Sequence, residues 1–291
     1  MPARYEIAKT YPSRGPMQQY RLASSCSFAC FRCHQAKTSK LVTVANGSWS
    51  SLLCNGCYGR LVALHDIKAG ADPVEEKASK LADRLLELAS REDVEAASRL
   101  LLVRRAQARL LTAAGLRFLA TSKVVAEGLS GHTDLDWSAA VIGLGKAFEV
   151  ELVHRVVEPL RAACSGVDLS SDIIDKDLGS LARYCSGRHP TPPSIGSVRH
   201  ALQTAENSKV RAASSPLVRA FHAVSRRWPK ADWLTRADGG LAAIEELTTR
   251  YRNRAAHTDV LTKQDYNDCL ELVAGNGGVL WELILSTSGR E

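Results

Sequence analysis

Residues 240–257 read GLAAIEELTTRYRNRAAH. Leu241, Ile244, Leu247, Tyr251 and Ala255 recur every three or four positions, which is the spacing of one buried face of an α-helix. At about 100° per residue, Asn253 falls roughly 200° from Tyr251, and His257 roughly 200° from Ala255, so both leave the apolar stripe. Asn253 and His257 are four apart and stand one above the other. Arg250 and Arg254 flank them. The expectation is a helix end that turns Arg, Asn and His away from its own core. Arg252, about 140° from His257, points elsewhere, although its long stem can swing back. A solvated basic helix end suited to the macrodipole accounts for the same residues.

The chain has 291 residues, enough for two domains and a sizeable core. No run of 18 apolar residues occurs, so no membrane span is expected. Met1 to Tyr20 holds charges and prolines but no apolar signal-peptide core, which leads to the expectation of a cytoplasmic protein with reduced thiols. Charge is unevenly placed. Residues 1–70 carry nine Lys or Arg against two acids, which accounts for the whole formal net charge of +7. A basic end on a neutral body suits an anionic partner, RNA or another nucleic acid first, or serves only as a solubilising tail.

The basic end also contains the strongest motif. Cys30 and Cys33 form one Cys-x2-Cys pair, Cys54 and Cys57 a second, and 20 residues separate them. Four thiolates at this spacing close a tetrahedron around one structural Zn²⁺ per chain. Cys26 and His34 are spare ligands. Between the pairs, Leu41–Val44 and Ser51–Leu53 with a turn at Asn46-Gly47 read as a β-hairpin. A helix start follows at Tyr58–Leu64. Knuckle, hairpin, knuckle and helix resemble a zinc ribbon or treble-clef finger.

The rest reads as mainly α. Met1–Ser25 is expected to be an arm (residues 1–25), and the finger spans 26–68, with Lys68–Pro73 as a linker. A helical linker region covers 69–115, with Leu81, Leu85 and Leu88 at helical spacing and a basic cluster at Arg104, Arg105 and Arg109. An all-helical bundle fills 116–291. One helix covers 116–129 and breaks at Gly128–Gly131. Asp136 is placed as the N-cap of a helix running to about Val157, whose stripe is Trp137, Val141, Leu144, Phe148 and Leu152. Gly143 and Gly145 cost that helix about 1 kcal/mol each, which close approach by a second helix would justify. Later helices are expected at Val198–Val210 and Pro216–Arg227. Thr262 and Asp265 form a capping box, and Gly275–Gly278 interrupts the last helix.

Arg252, Asn253 and, after three more residues, His257 resemble the catalytic motif of HEPN-domain ribonucleases, in which Arg and His are separated by four to six residues and a polar residue follows the Arg. The motif lies in the next-to-last helix of an all-helical domain. An early Gly-rich helix, with Lys146 and Glu149 off its stripe, matches the layout of that family. The resemblance implies metal-independent RNA cleavage by the ribose 2′-OH, of the kind found in toxin and antiphage systems. It also implies no cofactor for catalysis. His257 would move the proton, since an imidazole titrates near about pH 6.5. Arg252 would hold the phosphorane, and Asn253 would orient either group. Glu149 and Arg254 are auxiliary candidates, although Glu149 also suits a plain ion pair with Lys146. In that family a second motif completes the site, so a homodimer through the motif helix is expected, together with a cognate inhibitor or antitoxin. The competing readings are a non-catalytic RNA-binding or adaptor protein and a zinc-finger regulator that binds DNA.

Overall fold

The computed structural model describes residues 5–130, 135–207, 209–257 and 259–288. Pro2, Arg4 and Gly131, which entered the sequence reading, lie outside them. The chain is mainly α, with a small antiparallel sheet at its N-terminal end. Strands β1 (Ile7–Thr10), β2 (Met17–Ala29), β3 (Ala36–Ala45) and β4 (Ser48–Leu53) lie side by side in chain order. The β3–β4 hairpin turns at Asn46 and Gly47, both with positive φ (50° and 71°), as a tight two-residue turn requires.

The expected arm is corrected: much of it pairs into β1 and β2. Its period was hidden because apolar residues of β2 point to both faces and register shifts interrupt the pairing. On one face Leu22, Val42, Val44 and Leu52 are buried beneath Trp49, which stacks on Tyr5 and Tyr20 with ring centroids 5.1 Å apart in each case. On the other face Met17, Ala45 and Leu53 pack against α1 (Asn55–Ala69) through Cys57, Tyr58 and Leu61.

Next come α2 (Val74–Leu88), α3 (Arg91–Arg104), α4 (Ala113–Leu129) and α5 (Ser138–Leu152), which runs through a π turn, Val153–Val157, into α6 (Glu158–Ala163). Short helices α7 (Ser170–Ile173) and α8 (Gly179–Cys185) lead to α9 (Ile195–Asn207), α10 (Lys209–Ser214), α11 (Pro216–Ser225) and α12 (Ala231–Thr235). The motif helix comprises α13 (Gly240–Glu246), a π turn over Leu247–Arg252 and α14 (Asn253–Ala256). Last are α15 (Lys263–Ala274), which opens on the expected Thr262–Asp265 capping box, and α16 (Val279–Thr287). By length and composition Lys263–Thr287 passes as a membrane span, but Gly275–Gly278 divides it and 56% of its most apolar window is buried in the core.

Ala78, Leu81, Ala82 and Leu85 of α2 belong to the same core as α4, α5, the motif helix and α16. Residues from 74 onward therefore pack as part of the helical body rather than as a connector to it. Helix α5 is its axis, with Val141, Leu144, Phe148 and Leu152 fully buried. Its two glycines mark close approaches. A Cβ on Gly143 would lie 2.6 Å from Leu85 Cδ2 and 2.8 Å from Ser122 Cβ. A Cβ on Gly145 would lie 3.3 Å from Arg252 Cγ. The start of α4 is fixed by buried Glu151, which accepts hydrogen bonds from Thr112 N and Oγ1 at 2.7 Å each and pairs with Arg155 at 2.8 Å.

Gly143→Ala gains about 1 kcal/mol of helix propensity but overpacks two neighbours, and a net loss of roughly 1–3 kcal/mol is expected in denaturant unfolding. Gly145→Ala would meet Arg252 Cγ at 3.3 Å, a milder contact that the same propensity gain offsets, and should stay within about 1 kcal/mol of the parent by the same measurement.

Candidate functional site

Two constellations carry chemistry. The first is the cysteine cluster. Cys30 directly follows β2, where the turn through Cys33 and His34 closes by the His34 N–H donating to the Cys30 carbonyl at 2.8 Å. His34 takes a left-handed φ of 56°. Cys54 precedes α1 and Cys57 lies in its first turn, so helix formation itself aims the second pair. The four sulfurs all lie within 4.8 Å of one another, with Cys33 and Cys54 4.0 Å apart. A tetrahedron with metal–sulfur bonds of about 2.3 Å has edges of about 3.8 Å, so the cluster is close enough to hold one metal ion. Burial pushes the Cys30 thiol up, but N–H groups of Cys33, Cys54 and Arg32 outweigh that and bring it down to about 7. The Cys54 N–H lies 3.3 Å from the Cys30 sulfur. Burial drives Cys57 the other way, to about 12. The spare residues Cys26 and His34 stand outside the four-sulfur group.

The second constellation surrounds Arg252. The expected stripe of Leu241, Ile244, Leu247, Tyr251 and Ala255 is buried, and Thr248, Arg252 and Ala256 join it. Arg252 therefore faces the core and is only 4% exposed, rather than standing clear of it. Its Nη2 lies 2.5 Å from Glu75 Oε2 and 3.4 Å from Glu149 Oε2. Its Nη1 donates to Asn253 Oδ1 at 3.4 Å. Glu149 is held in turn by Lys146 at 2.7 Å, the ion pair considered for it. Burial alone would lower the Arg252 pKa, but the two carboxylates outweigh it and hold it above the ordinary value.

His257 sits at the C-terminal end of the same helix, exposed, with its backbone N–H bonded to the carbonyls of Asn253 and Arg254 at 3.1 Å each. Its ring makes no hydrogen bond among the described residues. Arg254 pairs with Asp259 at 3.4 Å and Asp265 at 3.5 Å. Within one chain the motif is thus divided, with Arg252 inward and His257 outward.

Two residues that the sequence reading passed over hold both ends of this motif. Glu75, in the first turn of α2, reaches Arg252. Lys68, expected in a linker, is a buried residue of α1, and its Nζ donates to Asp136 Oδ2 at 2.7 Å, Ser138 Oγ at 3.0 Å and the Asp259 carbonyl at 2.5 Å. Asp136 also accepts from Ser138 N at 3.0 Å and from Leu261 N at 3.2 Å, but the N-cap of α5 is Trp137, one position after the expected Asp136. In the basic cluster of Arg104, Arg105 and Arg109, Arg105 is committed elsewhere: it donates to the Gly275 carbonyl at 3.1 Å and lies over Trp281.

Comparison with known protein families, with curated proteins and with solved structures finds no match to this chain.

Substituting exposed Cys33 or half-buried Cys54 by Ser should take bound metal from one ion per chain to near zero by elemental analysis. Chelation should lower the thermal midpoint of the N-terminal sheet, because metal binding at such sites contributes roughly 10–16 kcal/mol of apparent folding free energy.

Proposed function

We propose that this chain is a metal-independent endoribonuclease of HEPN type, carrying an N-terminal finger closed by a structural Zn²⁺ on Cys30, Cys33, Cys54 and Cys57. The observation that supports it best is the meeting of Arg252 with Glu149. It joins the motif helix, which α15 and α16 follow, to the acidic position of the Gly-rich helix α5. Arg252 is the fixed cation, Asn253 orients it, and His257 is the group that exchanges a proton with the ribose 2′-OH. The 2′ oxygen attacks the adjacent phosphorus, the bond to the 5′ oxygen breaks, and a 2′,3′-cyclic phosphate forms.

The division of the motif bears on the assembly. An exposed His257 on a helix end meets the Arg252 region of another copy more readily than that of its own. The working form is therefore a homodimer through the motif helix, acting on RNA in the cytoplasm as a toxin or defence effector restrained by an inhibitor. One observation favours a second reading: the two carboxylates on Arg252 neutralise it fully, as in a non-catalytic RNA-binding or adaptor scaffold.

The cleanest variant is His257→Ala. The residue is exposed and its side chain makes no hydrogen bond among the described residues, so stability should change by no more than about 0.5 kcal/mol. Purified protein incubated with total RNA in EDTA should yield fragments ending in 2′,3′-cyclic phosphate, and His257→Ala should yield none. Circular dichroism recorded alongside checks that the helical body stays folded on chelation. Binding without cleavage favours the scaffold, a preference for duplex DNA favours a finger-based regulator, and equal cleavage by the variant ends the ribonuclease proposal.

A further inference from the structure

We propose that the carboxylate of Glu75 occupies the seat of an RNA phosphate on Arg252, so that binding a strand requires this side chain to swing aside. The identity of the anion rests on the ribonuclease reading; the seat itself rests on the contacts. A guanidinium takes a carboxylate or a phosphate through the same N–H geometry. Arg252 is 4% exposed, whereas the Glu75 side chain is 47% exposed and the Glu149 side chain 16%. The approach from solvent is therefore the side that Glu75 covers. Glu149 lies behind, held also by Lys146, and is the lasting partner.

Glu75 is held loosely by comparison. Among the described residues Arg252 is its sole side-chain partner. Its backbone stays fixed, because Lys77 Nζ donates to the Lys68 carbonyl at 2.9 Å and Leu81 and Leu85 are buried in the core. A rotamer change at Glu75 is enough to leave Nη2 with Glu149 as its one carboxylate partner, and Nε makes no hydrogen bond among the described residues. With Glu75 in place the four charges of Glu75, Glu149, Lys146 and Arg252 cancel. With it withdrawn they leave one positive charge beneath an open surface. Two carboxylates and a phosphate cannot share one guanidinium without strong repulsion, so strand and Glu75 compete.

Glu76 supplies the control. It is the next residue, carries the same charge and pairs with Lys80 instead. The full-length, metal-loaded protein is titrated with a single-stranded 2′-deoxy oligonucleotide, which cannot be cut by 2′-OH attack, and affinity is read by fluorescence anisotropy. Glu75→Gln should bind about tenfold tighter than the parent, and Glu76→Gln should stay within about twofold of it. Phenylglyoxal should modify Arg252 faster in Glu75→Gln, as read by mass spectrometry, and the oligonucleotide should protect it. Equal tightening by both variants, or a lowered thermal midpoint with no gain in Arg252 reactivity, overturns the proposal. Should Glu75→Gln fail to fold, protection of Arg252 by the oligonucleotide in the parent chain supports the seat, and lack of protection overturns it. If the RNA assay shows no cleavage while Glu75→Gln still gains affinity, the ribonuclease reading falls and the anion seat stands.

Discussion

One buried cation constrains this structure more than any other side chain. A guanidinium removed from water costs several kcal/mol unless carboxylates surround it, and losing one partner of a buried pair typically costs about 3–5 kcal/mol. Arg252 meets that demand with Glu149 from α5 and Glu75 from α2, so three helices are brought to one point. The space for its stem is supplied at Gly145, where a side chain would press on Arg252 Cγ. A glycine that weakens α5 as a helix is thereby explained by the charge that must lie against it.

Lys68 does the same for the other end of the motif. It too is buried, and its three acceptors come from the start of α5 and from the segment just after His257. Lys68 and Glu75 are seven positions apart, on either side of the corner between α1 and α2. A short stretch outside the helical motif thus grips both Arg252 and the chain beyond His257. The geometry of the candidate site is set by this corner as much as by the helix that bears the site.

Much of this was legible in the residues, for stated reasons. The stripe on the motif helix, the Asn46-Gly47 turn, the Thr262–Asp265 capping box and the paired cysteines are local patterns, and local chemistry enforces each of them. The first two strands were missed because their apolar residues serve two faces and register shifts break the alternation. The inward turn of Arg252 was missed because residue type argued for solvent, while position placed it beside Tyr251 on the buried face. A π turn over Leu247–Arg252 widens that face. The partnership with Glu75 spans 177 positions, and no periodicity or spacing reports a contact at that distance. Glu149 was within reach only because it lay one turn from Lys146 on a helix already singled out.

The cysteine cluster and the motif are connected by a single helix. Cys54 and Cys57 open α1, and Lys68 closes it. Its 15 residues make a rod of about 22 Å at 1.5 Å per residue. At one end its first turn aims two of the four sulfurs, and at the other its last turn grips Asp136, Ser138 and the Asp259 carbonyl. Without an ion no metal–sulfur bonds tie Cys54 and Cys57 to Cys30 and Cys33, and the first turn of α1 frays first. Shortening the rod from that end loosens its packing on the sheet and leaves Lys68 anchored by the buried contacts of the body alone. The N-terminal sheet with its cysteine cluster is therefore more than an appendage that carries positive charge. Through α1 it is mechanically continuous with the corner that presents Glu75 to Arg252 and holds the chain that follows His257.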